Sequence, residues 1–204
     1  MYHSICEHIG KEKHNKWRVK PKDFEKQMKW FYDNKWNSFT ISELIKLDEI
    51  PKKSFVVTFD DGYEDNFINA FPILKKYNFK ATIYLVPNLS INHWEEKNTS
   101  VLSNLLNNEQ ILQMQNTGLI EFGSHTLSHV NLSTINDEQL LIELKKSKEE
   151  IEKITRKECE AFAYPYGKFD DKIIQAVEEI GYKNATVVKR GLFEKNDNPF
   201  IIKR

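Results

Sequence analysis

The chain has 204 residues, 40% of them hydrophobic and 29% charged, enough for one domain with a substantial core. Thirty Lys and Arg balance thirty Asp and Glu, so no net charge draws in nucleic acid or an anionic membrane. Two cysteines, Cys6 and Cys159, exclude a disulfide scaffold and a cysteine zinc knuckle, and no run approaches the roughly 20 apolar residues of a membrane span.

Short apolar runs then alternate with charged segments of helical period. MYHSI (1–5) is a short apolar start with the makings of a strand, and KDFEKQMKWFYDN (22–34) predicts an amphipathic helix whose Trp30, with Trp17 and Trp36 nearby, reads as packing. FVVTF (55–59) predicts a strand, EDNFINAFPILKKY (64–77) a helix, ATIYLV (81–86) a strand and NEQILQMQN (108–116) a helix. LIEFG (119–123), EAFAY (160–164), NATVV (184–188) and PFIIK (199–203) are further strands, separated by helices over 136–155 and 170–180. Asn136 and Asp170 stand where helices should be capped, and Gly118 and Gly181 where they should end. This alternation predicts an α/β fold with a parallel sheet, an incomplete (deformed) (β/α) barrel of about seven strands in a single domain over 1–204. Active residues should then lie at the C-terminal ends of strands.

VVTFDDGYED (56–65) ends a predicted strand on two adjacent carboxylates and a glycine. Such carboxylates repel each other and lose solvation if buried, so a fold keeps the pair where a cation or a proton-transfer role compensates. The structural alternative is that Asp60, Asp61 and Asp65 cap the next helix. A magnesium-holding strand of a nucleoside triphosphatase would need a phosphate loop with Gly-Lys-Ser/Thr, which this sequence lacks. An aspartyl-phosphate phosphatase wants Asp-x-Asp, and the spacing here is wrong. A divalent metal site, with one Asp as ligand and the other as base, requires imidazoles.

GSHTLSH (123–129) supplies them: two of only six histidines, His125 and His129, fall at i and i+4 after another predicted strand. Turned into a helical loop, the segment would aim both rings the same way. Two imidazoles and one carboxylate leave positions open on zinc for water and substrate. AFAYPYG (161–167) ends a third strand, with Pro165 stiffening the exit, Tyr166 offering a ring and a backbone N–H, and Gly167 permitting a bend. Trp94 and Tyr84 are aromatics able to stack on pyranose rings, although aromatics in strands more often pack in the core. His8, His14 and His93 have no partner at ligand spacing and are expected to be exposed.

Taken in order, T-F-D-D-G, H-T-x-x-H and A-Y-P-Y-G resemble the motifs of the polysaccharide deacetylases, the NodB-homology, family-four carbohydrate esterases. The likeness is strongest to the subgroup acting on biofilm poly-N-acetylglucosamine, whose members also begin with Tyr-His and carry Thr-x-x-Glu-Leu, here Tyr2-His3 and Thr40 to Leu44. The resemblance covers nearly the whole chain. It implies one divalent ion on Asp61, His125 and His129, with zinc suited and cobalt or nickel acceptable. It also implies Asp60 as general base, the Tyr166 N–H as a donor to the oxyanion, and an N-acetylated oligo- or polysaccharide as substrate, with Pro165, Tyr166 and Trp94 beside it.

The chain departs from the family pattern twice. The Arg that opens the third motif and orients the base is replaced by Ala163, with Arg190 and Arg204 as candidate substitutes. The late Leu-x-His that protonates the leaving amine is missing, since no histidine follows His129. In the biofilm-glycan subgroup Tyr-His resembles a relocated acid, so a first strand lying beside the last would bring His3 into that role. The two losses leave a metal-retaining, catalytically weak glycan-binding module as an alternative. MYHSICEHIG lacks the basic and apolar regions of a signal peptide, which leaves a cytoplasmic protein or an exported one with its signal removed, and motivates a cytoplasmic or lipid-linked amino sugar as another substrate.

Overall fold

The computed structural model describes residues 1–204. Six strands, β1 (Asn37–Phe39), β2 (Ser54–Phe59), β3 (Ala81–Leu85), β4 (Ile120–Ser124), β5 (Ala161–Ala163) and β6 (Asn184–Thr186), form one sheet in chain order. The pairings β1–β2, β2–β3, β4–β5 and β5–β6 are all parallel. Parallel neighbours need crossovers, and the helices that supply them are α1 (Pro21–Asp33), α2 (Ile41–Lys46), α3 (Phe71–Tyr77), α4 (Asn108–Gln115), α5 (Asp137–Thr155) and α6 (Asp171–Glu179).

The sheet has six strands rather than about seven. PFIIK contributes only an isolated bridge between Ile202 and Thr186, and its first residues, Pro199 and Phe200, form a turn closed by Ile201 N donating to Asn198 O. The start of the chain likewise makes only isolated bridges, Tyr2 to Phe59 and Ser4 to Arg18, so the first segment lies along β2 rather than being a full strand beside the last. Two elements went unread in the sequence: β1, only three residues long, and the six-residue α2, both too short to show a period. The 64–77 helix opens with a π-helical turn at Asn66–Ala70 before α3. Asn136 and Asp170 do cap α5 and α6, accepting from Gln139 N at 2.9 Å and Ile173 N at 2.8 Å.

The chain clusters into two compact units. The first comprises residues 1–40, 51–83 and 90–121. Its core includes Phe24 of α1 and Phe59 of β2 with ring centroids 5.8 Å apart, and Tyr2 meets both. The second comprises residues 41–50, 84–89 and 122–204. There Phe162 packs against Tyr164 and Tyr182; α5 lies against α6, and its buried residues include Leu140, Leu144, Ser147 and Ile151. No helix is long and apolar enough to cross a membrane.

Candidate metal centre

Each sequence motif sits immediately after a strand. In the first unit, β2 delivers Asp60 and Asp61, which are 2% and 4% exposed. The helix-cap alternative fails at Asp65, whose carboxylate makes no cap bond. Instead its Oδ1 accepts from Ile5 N at 2.8 Å and its Oδ2 from Ser4 Oγ at 2.5 Å. Asn66 Nδ2 donates to His3 O and Asn69 Nδ2 to Ile5 O, each at 2.8 Å. These side chains bind the first residues of the chain to the segment after the Asp pair. His3 is thereby held against β2, with its Nε2 3.8 Å from Asp60 Oδ2 and its ring 4.5 Å from that of Trp17. Trp17 thus packs as expected, on the candidate acid, whereas Trp30 is 54% exposed.

Tyr63 supports the other carboxylate. Its phenol accepts from Asn92 Nδ2 at 3.2 Å and is hydrogen-bonded to Asp61. Burial first, and then the Asp61 charge, hold that phenol well above its ordinary range, so it stays protonated and able to donate. His14 corrects the sequence reading. It is buried, 3.2 Å from Glu95 Oε2, with its ring centroid 6.1 Å from that of Tyr63 at a steep angle, while His8 and His93 are exposed as expected.

In the second unit, β4 delivers His125, and His129 follows in a loop that is not helical. The two rings nevertheless lie with centroids 5.0 Å apart. His125 Nδ1 lies 2.7 Å from Ala163 O, to which it donates, leaving the Nε2 lone pair for a cation. His129 Nδ1 lies 3.2 Å from Tyr166 Oη, a group able either to accept from it or to donate to it. Pro165 is buried in the turn after β5, and the Tyr166 ring is 53% exposed.

Four of the eight non-glycine residues with positive φ belong to these three segments: Asp61 (72°), Thr126 (67°), His129 (58°) and Tyr166 (58°). Left-handed backbone costs about 1–3 kcal/mol per residue for side chains other than glycine, and such strain gathers at functional sites. For β-branched Thr126 it is a true outlier. One ligand atom each from Asp61, His125 and His129 all lie within 4.8 Å of one another, and all three residues are buried. One carboxylate and two neutral imidazoles form a donor set that fits one divalent ion.

Trp94 lies in a short turn at His93–Glu95, half-buried. Tyr84 is fully buried against Ala161 and Ala163, the core placement. Of the two arginines, Arg190 is exposed, whereas the Arg204 guanidinium lies 5.3 Å over the Tyr84 ring.

The family model for polysaccharide deacetylases matches residues 48–185, which span all three motifs. The chain belongs to the polysaccharide deacetylase family. Among curated relatives of this family, a Bacillus subtilis protein named as the polysaccharide deacetylase YxkH is 32% identical over 100% of this chain and 68% of its own length. The poly-beta-1,6-N-acetyl-D-glucosamine N-deacetylase of Staphylococcus aureus is 30% identical over 91% of this chain and 66% of its own. The crystal structure of a polysaccharide deacetylase from Bacillus cereus superposes with a TM-score of 0.83 at 32% identity, covering 100% of this chain. A Streptococcus pyogenes deacetylase solved with acetate gives 0.83 at 26% identity. This chain spans 62% of the Bacillus cereus chain and about two thirds of the curated relatives. The fold is the deformed (β/α) barrel of the family, and its Asp-His-His metal triad is intact in Asp61, His125 and His129.

Proposed function

We propose that residues 1–204 act as one polysaccharide deacetylase domain that hydrolyses the N-acetyl group of N-acetylglucosamine residues in a glycan. The observation that carries this reading is the buried Asp61, His125 and His129 set, together with a second buried carboxylate, Asp60, beside Asp61 in the chain. A pure binding site has no need of Asp60. The Staphylococcus aureus relative, which acts on poly-β-1,6-N-acetyl-D-glucosamine by name, supports the substrate class.

Asp61, His125 and His129 would hold the ion, with zinc the best-suited choice for this ligand set. When bound, a divalent ion supplies a Lewis acid that makes water nucleophilic near neutral pH and polarises the acetamide carbonyl. Asp60 accepts the proton of the attacking water. The Tyr166 N–H donates to the carbonyl oxygen as negative charge grows there. His3 gives a proton to the nitrogen as the C–N bond breaks, so that acetate and a free amine leave. The place of His3 beside Asp60, on the side chains of Asp65, Asn66 and Asn69, supports the relocated acid. Arg204 takes the role of the missing motif Arg, and Pro165, Tyr166 and Trp94 line the sugar.

The test is acetate release from N-acetylglucosamine oligomers by wild type, Asp60→Asn and chelator-treated protein. Release that requires metal and is lost in Asp60→Asn is the expected result. Metal binding without acetate release from any of the three would favour the glycan-binding module.

A further inference from the structure

The stretch from His125 to His129, in the loop between β4 and α5, carries both imidazoles and is not itself helical. Two of its residues, Thr126 and His129, are in left-handed backbone that their side chains disfavour. Something outside the loop must hold it, and one helix of the second unit, α5, is placed to do so. Glu143, in the second turn of α5, turns its carboxylate onto the middle of the loop. Its Oε2 accepts from Leu127 N at 2.9 Å and from Ser128 N at 3.0 Å, and its Oε1 accepts from Ser128 Oγ at 2.5 Å.

The same helix face repeats the contact one turn later. Ser147 Oγ lies 2.7 Å from Ser124 Oγ, which itself accepts from Thr126 N at 3.3 Å. Ser147 is secured in turn by the Tyr182 hydroxyl at 3.1 Å, and that hydroxyl donates to Leu144 O at 3.0 Å. Residues at i and i+4 share one face of a helix. Together they tie both sides of the strained Thr126 to one rigid element.

We propose that Glu143 is a positioning residue for the metal site, acting through the backbone of Leu127 and Ser128 to keep His125 and His129 in binding register. The inference rests on the metal reading of Asp61, His125 and His129. A carboxylate accepting two consecutive backbone N–H groups is a geometrically specific clamp. It holds the peptide between the two ligands while touching neither ring. Losing it lets the loop relax toward ordinary backbone, and the imidazoles then pay an ordering cost each time they bind. The effect belongs in metal affinity.

The experiment measures zinc affinity of metal-stripped wild type, Glu143→Ala and Glu143→Gln by competition with a chromogenic chelator, alongside thermal unfolding of the stripped proteins. It also records the visible spectrum of each protein loaded with cobalt. The expected result for Glu143→Ala is about tenfold or greater loss of zinc affinity with an altered cobalt spectrum. Glu143→Gln, which keeps the length and one acceptor oxygen, should fall between the two and guards against a folding defect in Glu143→Ala. Wild-type zinc affinity and cobalt spectrum in both variants would overturn the proposal, as would a loss of melting temperature with affinity unchanged. Failure of wild type itself to bind zinc or cobalt would overturn the metal reading, and with it this inference.

Discussion

His3 Nε2 stands 3.8 Å from Asp60 Oδ2, with the backbone bridge from Tyr2 to Phe59 directly beneath them. The candidate acid and the candidate base are therefore neighbours on one strand edge. His3→Ala and Asp60→Asn should each lower kcat for acetate release by about 10²–10⁴-fold, with metal binding retained. The double variant should lose little more than the worse single one, because groups acting as a unit are not additive. Steady-state kinetics on the three variants, with metal content measured in each, checks both statements.

The hold on His3 passes through Asp65, and it carries a pH signature. Burial raises the Asp65 pKa above its ordinary value, and hydrogen bonds from Ser4, Ile5 and Asn66 only partly oppose this. The native carboxyl keeps its proton to higher pH than the unfolded one. Between the ordinary and the native pKa the folded state therefore binds more protons, and this group's contribution to stability declines as pH rises. Asp65→Asn removes that slope while keeping an acceptor for Ile5 N, so its stability relative to wild type should improve from acidic to neutral pH. Asp65→Ala leaves the Ile5 N–H without its acceptor and should cost about 1–3 kcal/mol. Urea unfolding of the three proteins at several pH values decides the matter, and a difference between wild type and Asp65→Asn that is flat in pH would contradict it.

Tyr166 offers two groups with separable effects. Its backbone N–H is the proposed oxyanion donor, while its hydroxyl lies 3.2 Å from His129 Nδ1. Tyr166→Phe keeps the N–H and removes only the hydroxyl, so kcat should fall by no more than about tenfold, one hydrogen bond's worth. Metal affinity should weaken more than KM changes. A loss of kcat of a thousandfold with unchanged metal affinity would assign the chemistry to the hydroxyl instead.

Gly123 marks where β4 passes too close to its neighbours for any side chain. A Cβ there would meet Ala161 O at 2.7 Å and Tyr84 Cδ1 at 2.7 Å. Backbone oxygen and a fully buried ring cannot move aside cheaply, so Gly123→Ala should destabilise the fold by about 1–3 kcal/mol. A shifted urea midpoint at constant m-value is the expected observation.

The chemistry of this protein was legible in the sequence because it lies in short motifs at strand ends. Asp60-Asp61 follows an apolar run, and His125 and His129 recur four apart, so both stand out without knowledge of long-range contacts. The strand–helix alternation likewise gave the α/β class, since period is a local property. What was not legible depends on which segments meet. His14 looked exposed and is buried against Glu95, because its partner is far along the chain. The first residues were expected beside the last strand and lie along β2, a placement made by Asp65, Asn66 and Asn69. A helical loop was one way to aim both imidazoles alike, whereas the segment is not helical and has left-handed backbone at Thr126 and His129. Local preference disfavours that conformation, and only tertiary contacts such as those from Glu143 and Ser147 make it the stable one. The sequence alone determined which groups are available for chemistry. The tertiary structure decided their positions, because strained backbone and a relocated histidine persist only where distant hydrogen bonds offset their cost.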